Sequence, residues 1–202
     1  MKLFFDTETT DKADFHAPCD APHQPRIVQL AAVLTDAEGR ERGSMAMIIK
    51  PQGWRISHEA QAVHGVSLED CERFGVPIVV ALAAFSNLAR VAEELIAFNV
   101  DFDRLLLEGE CRRCARSLPP TVHYRCEMKA MTPVCAIPKP SQYRQANDPY
   151  KWPSLSEAHI FALGTDFKDK HDALGDVRAL MAVHFWRLRQ QSPAPKQEEL
   201  VR

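Results

Sequence analysis

Lys2-Leu3-Phe4-Phe5-Asp6-Thr7-Glu8-Thr9-Thr10 is the stretch around which the chain is organised. A short, mostly apolar run closed by polar residues predicts a buried strand. Side chains two apart on an extended backbone face the same way, so Asp6 and Glu8 share one face at the end of a core strand. Two anions held side by side there repel each other unless a cation neutralises them. Ligands made only of oxygen suit Mg²⁺ or Mn²⁺. An exposed acidic loop after the strand would carry the same letters, so the pair needs partners from elsewhere in the chain.

Working outward, Asp11 to Pro25 lacks periodicity and contains Pro18, Pro22 and Pro25, which predicts a loop beside the carboxyl end of the first strand. Arg26–Thr35 and Ser44–Lys50 are the second and third strands, joined by a turn at Asp36-Ala-Glu-Gly39 into an antiparallel hairpin. Helical pieces follow between Ser57 and Arg90. Ser57 caps the first, Ser67 and Asp70 form a capping box for the second, and Pro77 opens the third. Glu94–Asn99 is short and apolar after a helix, which predicts a fourth strand parallel to the first. A long helix then runs from Val100 until Leu118-Pro-Pro120 stops it, and Val122–Cys126 is a fifth strand. Ala136–Trp152 is irregular. Ser154 and Glu157 cap a further helix, and the last begins near Asp172 with Ala173, Val177, Leu180, Met181 and Phe185 along one side. Residues 1–191 are expected to form a single domain and residues 192–202 a flexible tail.

A chain of 202 residues can bury a full core, and its 46% hydrophobic and 26% charged content is that of an ordinary globular protein. No apolar run approaches the ~20 residues of a membrane span. A strand beginning at residue 2 leaves no room for a cleavable leader. Six irregularly spaced cysteines do not suggest a disulfide scaffold, so a cytoplasmic protein with reduced thiols is expected. A net charge of −2 gives no global basic field, but the distribution is uneven. Residues 1–36 carry six acidic against three basic side chains; residues 104–151 carry nine basic against four acidic. An acidic end with a basic flank suits a metal site that handles a phosphate backbone, and a solvated helix face accounts for the basic excess equally well.

Two further sites extend the acid pair into a pattern. Phe98-Asn99-Val100-Asp101-Phe102-Asp103 places a carboxylate at a strand-to-helix junction, and His171-Asp-Ala-Leu-Gly-Asp176 places a histidine five residues before another, at the start of the final helix. Carboxylates from three elements can meet where parallel strands end. Two Mg²⁺ ions roughly 3.5–4 Å apart need about this ligand set for in-line displacement at phosphorus. His171 adds a base that can accept a proton near neutral pH.

Together these residues resemble the DEDD exonuclease superfamily in its histidine-bearing branch, whose boxes are Asp-x-Glu, Asn-x-x-Phe-Asp and His-x-x-x-x-Asp in that order. Here they are Asp6–Glu8, Asn99–Asp103 and His171–Asp176, and Ile56–Gly65 looks like the family's connection between strands three and four. The resemblance covers roughly residues 1–190 and implies an α/β, ribonuclease H-like fold with a central mixed five-stranded sheet flanked by helices. It also implies that Asp6, Glu8, Asp103 and Asp176 hold two divalent cations, Mg²⁺ or Mn²⁺, with Asp6 bridging both. His171 would deprotonate the attacking water, and Thr9, Val63, His64 and Phe102 would surround the 3′-terminal nucleotide. The implied activity is 3′→5′ hydrolysis of single-stranded DNA ends to nucleoside 5′-monophosphates. The implied partner is a nucleic acid with a free 3′ end, and the chain would be either free-standing or a partner of a polymerase or other replication protein. Three features depart from the family. Asp11 stands where glycine is usual, and the loop to Pro25 is longer, which bears on substrate access but removes no ligand. Phe98 replaces a frequent histidine, which points to packing.

Two alternatives stay open on sequence alone. An exoribonuclease trimming RNA or oligoribonucleotides would share every box, because nothing here shows what contacts the sugar 2′ position. A non-catalytic nucleic-acid-binding protein with the same fold is the other, against which the intact set of five residues weighs. Cys111-x-x-Cys114 with His123-x-x-Cys126 has zinc-like spacing, but its placement on a predicted helix and strand weighs against zinc.

Overall fold

A computed structural model of the protein describes residues 1–119, 123–145, 147–168 and 170–191. Its strands are β1 (Lys2–Thr9), β2 (Ile27–Thr35), β3 (Glu41–Ile48), β4 (Glu94–Ala97) and β5 (His123–Cys126). They form one mixed sheet in the order β3-β2-β1-β4-β5. β1 pairs antiparallel with β2 and parallel with β4, and β5 continues parallel beside β4. The helices are α1 (His58–His64), α2 (Leu68–Phe74), α3 (Ile78–Ala89), α4 (Val100–Arg113), α5 (Glu127–Cys135), α6 (Leu155–Leu163) and α7 (Ala173–Gln191).

The strand period of two sorts β1 between two cores. Leu3 and Phe5 pack with Ile78, Leu82 and Phe85 of α3 and Leu106 and Leu107 of α4. Phe4 packs on the opposite face with Ala173, Val177 and Leu180 of α7. Every residue of β2 is buried, as expected of a central strand covered on both sides. A smaller cluster of Met131, Ala158 and Val183 joins α5 and α6 to α7. The expected caps form: Ser57 accepts from the Ala60 amide, and Ser67 with Asp70 and Ser154 with Glu157 make reciprocal capping boxes.

Several boundaries differ from the sequence expectation. β3 lies at Glu41–Ile48 rather than 44–50, because Arg40 and Arg42 both pair with Asp36 across the turn and the hairpin ladder starts early. β4 ends two residues sooner, at Ala97. α4 stops at Arg113, well before the prolines, because Ala115 adopts φ 52° and the Cys111 carbonyl accepts from the Arg116 amide at 2.8 Å. Such a left-handed stop normally carries glycine, so the letters gave no sign of it. The sequence reading assigns no element to α5, which forms with Pro133 inside it. Val122 and the tail 192–202 lie outside the described residues. No helix among the described residues is long and apolar enough to cross a membrane, and all six cysteines are free.

α5 is anchored by a buried hydrogen-bonded triad. Glu127 accepts from His184 Nδ1 at 2.8 Å and from Arg187 Nη2 at 3.1 Å, with Arg187 Nε donating to its other oxygen. Burial alone would raise the Glu127 pKa, but hydrogen bonds from His184 and Arg187 prevail and hold it below its ordinary value. Removing one member of a buried pair leaves an uncompensated charge. Glu127→Ala should therefore lower the unfolding free energy by about 3–5 kcal/mol in urea titrations. A loss under about 1 kcal/mol, the scale of an exposed pair, would contradict this role.

Candidate active site

Alternation along β1 delivers its two sets of residues to two different helices. Asp6 and Glu8 continue the Phe4 face toward the start of α7, and Thr7 continues the Phe5 face toward α4. Asp103, in the first turn of α4, is 3% exposed, and its Oδ1 accepts from both the backbone amide (3.0 Å) and the hydroxyl (2.8 Å) of Thr7. Thr7 therefore fixes the Asp103 carboxylate beside Asp6, an orienting role the sequence did not announce. α4 is itself tied to the sheet by Glu110, which is 1% exposed. It accepts from Arg26 Nε (2.6 Å) and Nη2 (2.9 Å) and from the Ile27 amide (3.3 Å).

The third part lies just ahead of α7. His171 has φ 62°, a left-handed conformation that is unusual for a residue with a Cβ, and its amide faces Asp176 Oδ1 at 3.4 Å. Asp172 caps the helix by accepting from the Gly175 amide at 3.2 Å. Gln29 of β2 then holds this junction from both sides, with Nε2 donating to Asp172 Oδ1 (2.9 Å) and Oε1 accepting from the Ala173 amide (3.1 Å). Neither Asp172 nor Gln29 was singled out in the sequence. The available signals were a polar residue inside an otherwise apolar strand and a second aspartate within the last box.

The expected residues converge. Glu8, His171 and Asp176 offer ligand atoms that all lie within 4.8 Å of one another, the one such group of acid, histidine or cysteine side chains among the described residues. Burial and then repulsion from Asp103, Glu8, Asp176 and Asp172 raise the Asp6 pKa well above its ordinary value. Burial and the charges of Asp176, Asp103 and Asp172 push Glu8 up to about 8. Asp103 and Asp176 are raised as well, chiefly by burial. Mutual repulsion among hard oxygen donors is the signature of a set that fits divalent cations.

Beside the carboxylates lies a pocket of about 310 Å³ lined by Glu8, Thr9, Asp11, Lys12, Glu59, Ala60, Val63, His64 and Phe102. It thus contains all four residues expected around a terminal nucleotide. His64 Nδ1 accepts from the Val66 amide at 3.1 Å, so its Nε2–H donates to the Thr9 carbonyl at 3.2 Å. Burial lowers its pKa, consistent with this neutral form. Both ring nitrogens are used within the protein, so His64 joins α1 to β1 and offers the pocket a ring face. The zinc-like spacing is not realised as a cluster: Cys126 Sγ instead donates to the Phe98 carbonyl at 3.3 Å. In the basic flank, Arg104 pairs with Glu108, Arg113 lies near Glu110, and Lys129 pairs with Asp101.

A mixed sheet with acidic side chains gathered at the end of its first strand defines a nuclease-like α/β protein. The RNase_T exonuclease family matches residues 3–184, and the chain belongs to that family. No curated protein sequence matches it. Among solved structures it is similar to Escherichia coli exonuclease I in a zinc-bound complex with single-stranded DNA, at 21% identity and a TM-score of 0.72. That match covers 94% of this chain and 40% of the other. It is also similar to E. coli exonuclease I with a dT13 oligonucleotide, at 21% identity and a TM-score of 0.73, covering 94% and 41%. The likeness establishes the ribonuclease H-like fold, and the chain spans about two fifths of the length of those proteins.

The raised carboxylates carry a pH signature. Folded Glu8 keeps its proton to about pH 8, whereas unfolded Glu8 loses it near 4.5, so between these values the folded state binds more protons. Stability contributed by this group must then fall as pH rises. Without divalent cations, the thermal midpoint should decline between about pH 5 and pH 8, and Glu8→Gln should decline less. His64, lowered from 6.5, acts in the opposite sense, which makes the difference between the two proteins the quantity to compare. Parallel profiles would contradict the site electrostatics.

Proposed function

We propose that the chain is a divalent-metal-dependent 3′→5′ exonuclease that hydrolyses the terminal phosphodiester of single-stranded DNA and releases nucleoside 5′-monophosphates. The observation that carries this reading is the meeting of Asp6, Glu8, Asp103 and Asp176 from three elements, with His171 among them and an aromatic-walled pocket alongside. Asp6, Glu8, Asp103 and Asp176 would hold two Mg²⁺ or Mn²⁺ ions, which when bound neutralise the scissile phosphate and activate water. Glu8 and Asp176 must release any protons they carry to serve as ligands. Thr7 keeps Asp103 in place, and Gln29 with Asp172 keeps His171 near Glu8 and Asp176. His171, exposed on its loop, takes the proton of the attacking water. Phe102 and the His64 ring face flank the terminal base, with Thr9 and Val63 completing the wall. DNA is favoured because oligodeoxynucleotide complexes are known for the structurally similar exonuclease I.

The test is degradation of 5′-labelled single- and double-stranded DNA and RNA with Mg²⁺ or Mn²⁺. Stepwise shortening of single-stranded DNA with mononucleotide release is expected. Faster loss of RNA would move the assignment to an exoribonuclease, and intact substrates throughout would overturn catalysis. Asp6→Ala should abolish cleavage without loss of the fold. His171→Ala should lower turnover by roughly 10²–10⁴-fold while oligonucleotide binding persists, the usual range for a positioned acid–base group. Near-normal turnover in either variant would remove that residue from the mechanism.

A further inference from the structure

We propose that Phe15, on the segment joining β1 to β2, is a stacking platform for the nucleobase next to the 3′-terminal one. This deepens the exonuclease reading above and rests on it.

The segment is irregular but tightly held. Gln24, 3% exposed, uses its side chain as an internal brace: Nε2 donates to the carbonyls of Asp14 (2.6 Å) and Pro18 (3.3 Å), and Oε1 accepts from the Asp14 amide (3.1 Å). Asp14 in turn accepts from the His16 amide at 2.9 Å, so both neighbours of Phe15 are fixed. The segment is also fastened to α4. Arg113 donates to the Ala21 carbonyl at 3.2 Å, and Gly109 lets the backbone of Cys19 approach so closely that a Cβ there would sit 2.2 Å from the Cys19 oxygen. That contact gives the glycine inside α4 a purpose, since glycine otherwise weakens a helix interior.

This bracing presents an aromatic ring to solvent. Phe15 is 53% exposed and belongs to none of the three hydrophobic clusters. Its one ring neighbour among the described residues is Phe102, with centroids 6.4 Å apart and planes tilted by 51°. Phe102 lines the pocket proposed for the terminal nucleotide, and Lys12, three residues before Phe15, lines it too. An ordered segment that spends its internal hydrogen bonds on holding a half-exposed phenyl beside a binding wall is not stabilising a core. A strand whose last base lies against Phe102 must leave the pocket past its rim. Phe15 extends the aromatic surface there, and the Lys12 ammonium is available to the intervening phosphate. Alternating aromatic and cationic side chains is how proteins hold single strands without reading sequence, since every base offers a π-face.

The test is a cycle between protein and substrate in an inactive Asp6→Asn background, with binding of a short single-stranded oligodeoxynucleotide measured by anisotropy. One oligonucleotide carries all its bases, and the other has an abasic residue at the second position from the 3′ end. Phe15→Ala should weaken binding of the complete strand about ten-fold, within the range of a lost base–aromatic stack, and leave the abasic strand unchanged. Phe15→Trp should restore the complete-strand affinity, and Phe15→Leu, which keeps apolar bulk without a ring, should not. Equal weakening of both strands, or none of either, would overturn the assignment to the second base while wild-type cleavage left the exonuclease reading standing. If the wild-type chain neither binds nor shortens the complete strand, both readings fall together.

Discussion

The burial of four mutually repelling carboxylates at one end of β1 is the constraint on which the rest of this structure depends. Asp6, Glu8, Asp103 and Asp176 are brought together by three elements, and the charges bearing on Asp6 and Glu8 are those of other carboxylates. The molecule treats its other buried acids differently. Glu110 and Glu127 are each 1% exposed or less, and each is answered by an arginine and further hydrogen-bond donors. Those pairings secure α4 and α7, the two helices that carry Asp103 and Asp176. Satisfied charges in the frame thus hold at the site a set of oxygen donors that suits a divalent cation.

Local devices around the cluster serve the same end. Thr7 sits between the two carboxylates of β1 and uses its opposite orientation to grip Asp103. Gln29 reaches from the adjacent strand to both sides of the α7 junction, where His171 takes a left-handed conformation that only a constrained neighbourhood would hold. His64 closes the pocket side by joining α1 to the end of β1 through Nε2, while Nδ1 accepts from the Val66 amide just past the helix. The result is a site assembled on strand and helix ends rather than on a free loop, which favours fixed geometry.

Much of this was legible in the letters, and the reasons are physical. The acid pair, the Asn99–Asp103 box and the His171–Asp176 box stand at element ends marked by strong period changes, so their convergence followed from a parallel pairing of β1 with β4. The caps at Ser57, Ser67 and Ser154 formed because capping chemistry is local. The misses are tertiary. α5 forms despite Pro133 because Glu127 and Met131 are buried against α7, a gain invisible to local propensity. The early end of α4 rests on a strained Ala115. Thr7, Gln29 and Asp172 act through partners as many as 144 residues away, which no short pattern encodes.

Calorimetric titration of Mn²⁺ into the metal-free protein near pH 7, repeated in buffers of different ionisation enthalpy, tests the central claim most directly. Glu8, pushed up to about 8, is largely protonated there, so cation binding must expel a proton. The account predicts saturable binding with net proton release, and both should be reduced in Glu8→Gln. Binding without proton release, or no binding at all, would contradict a carboxylate cluster held in readiness for divalent cations.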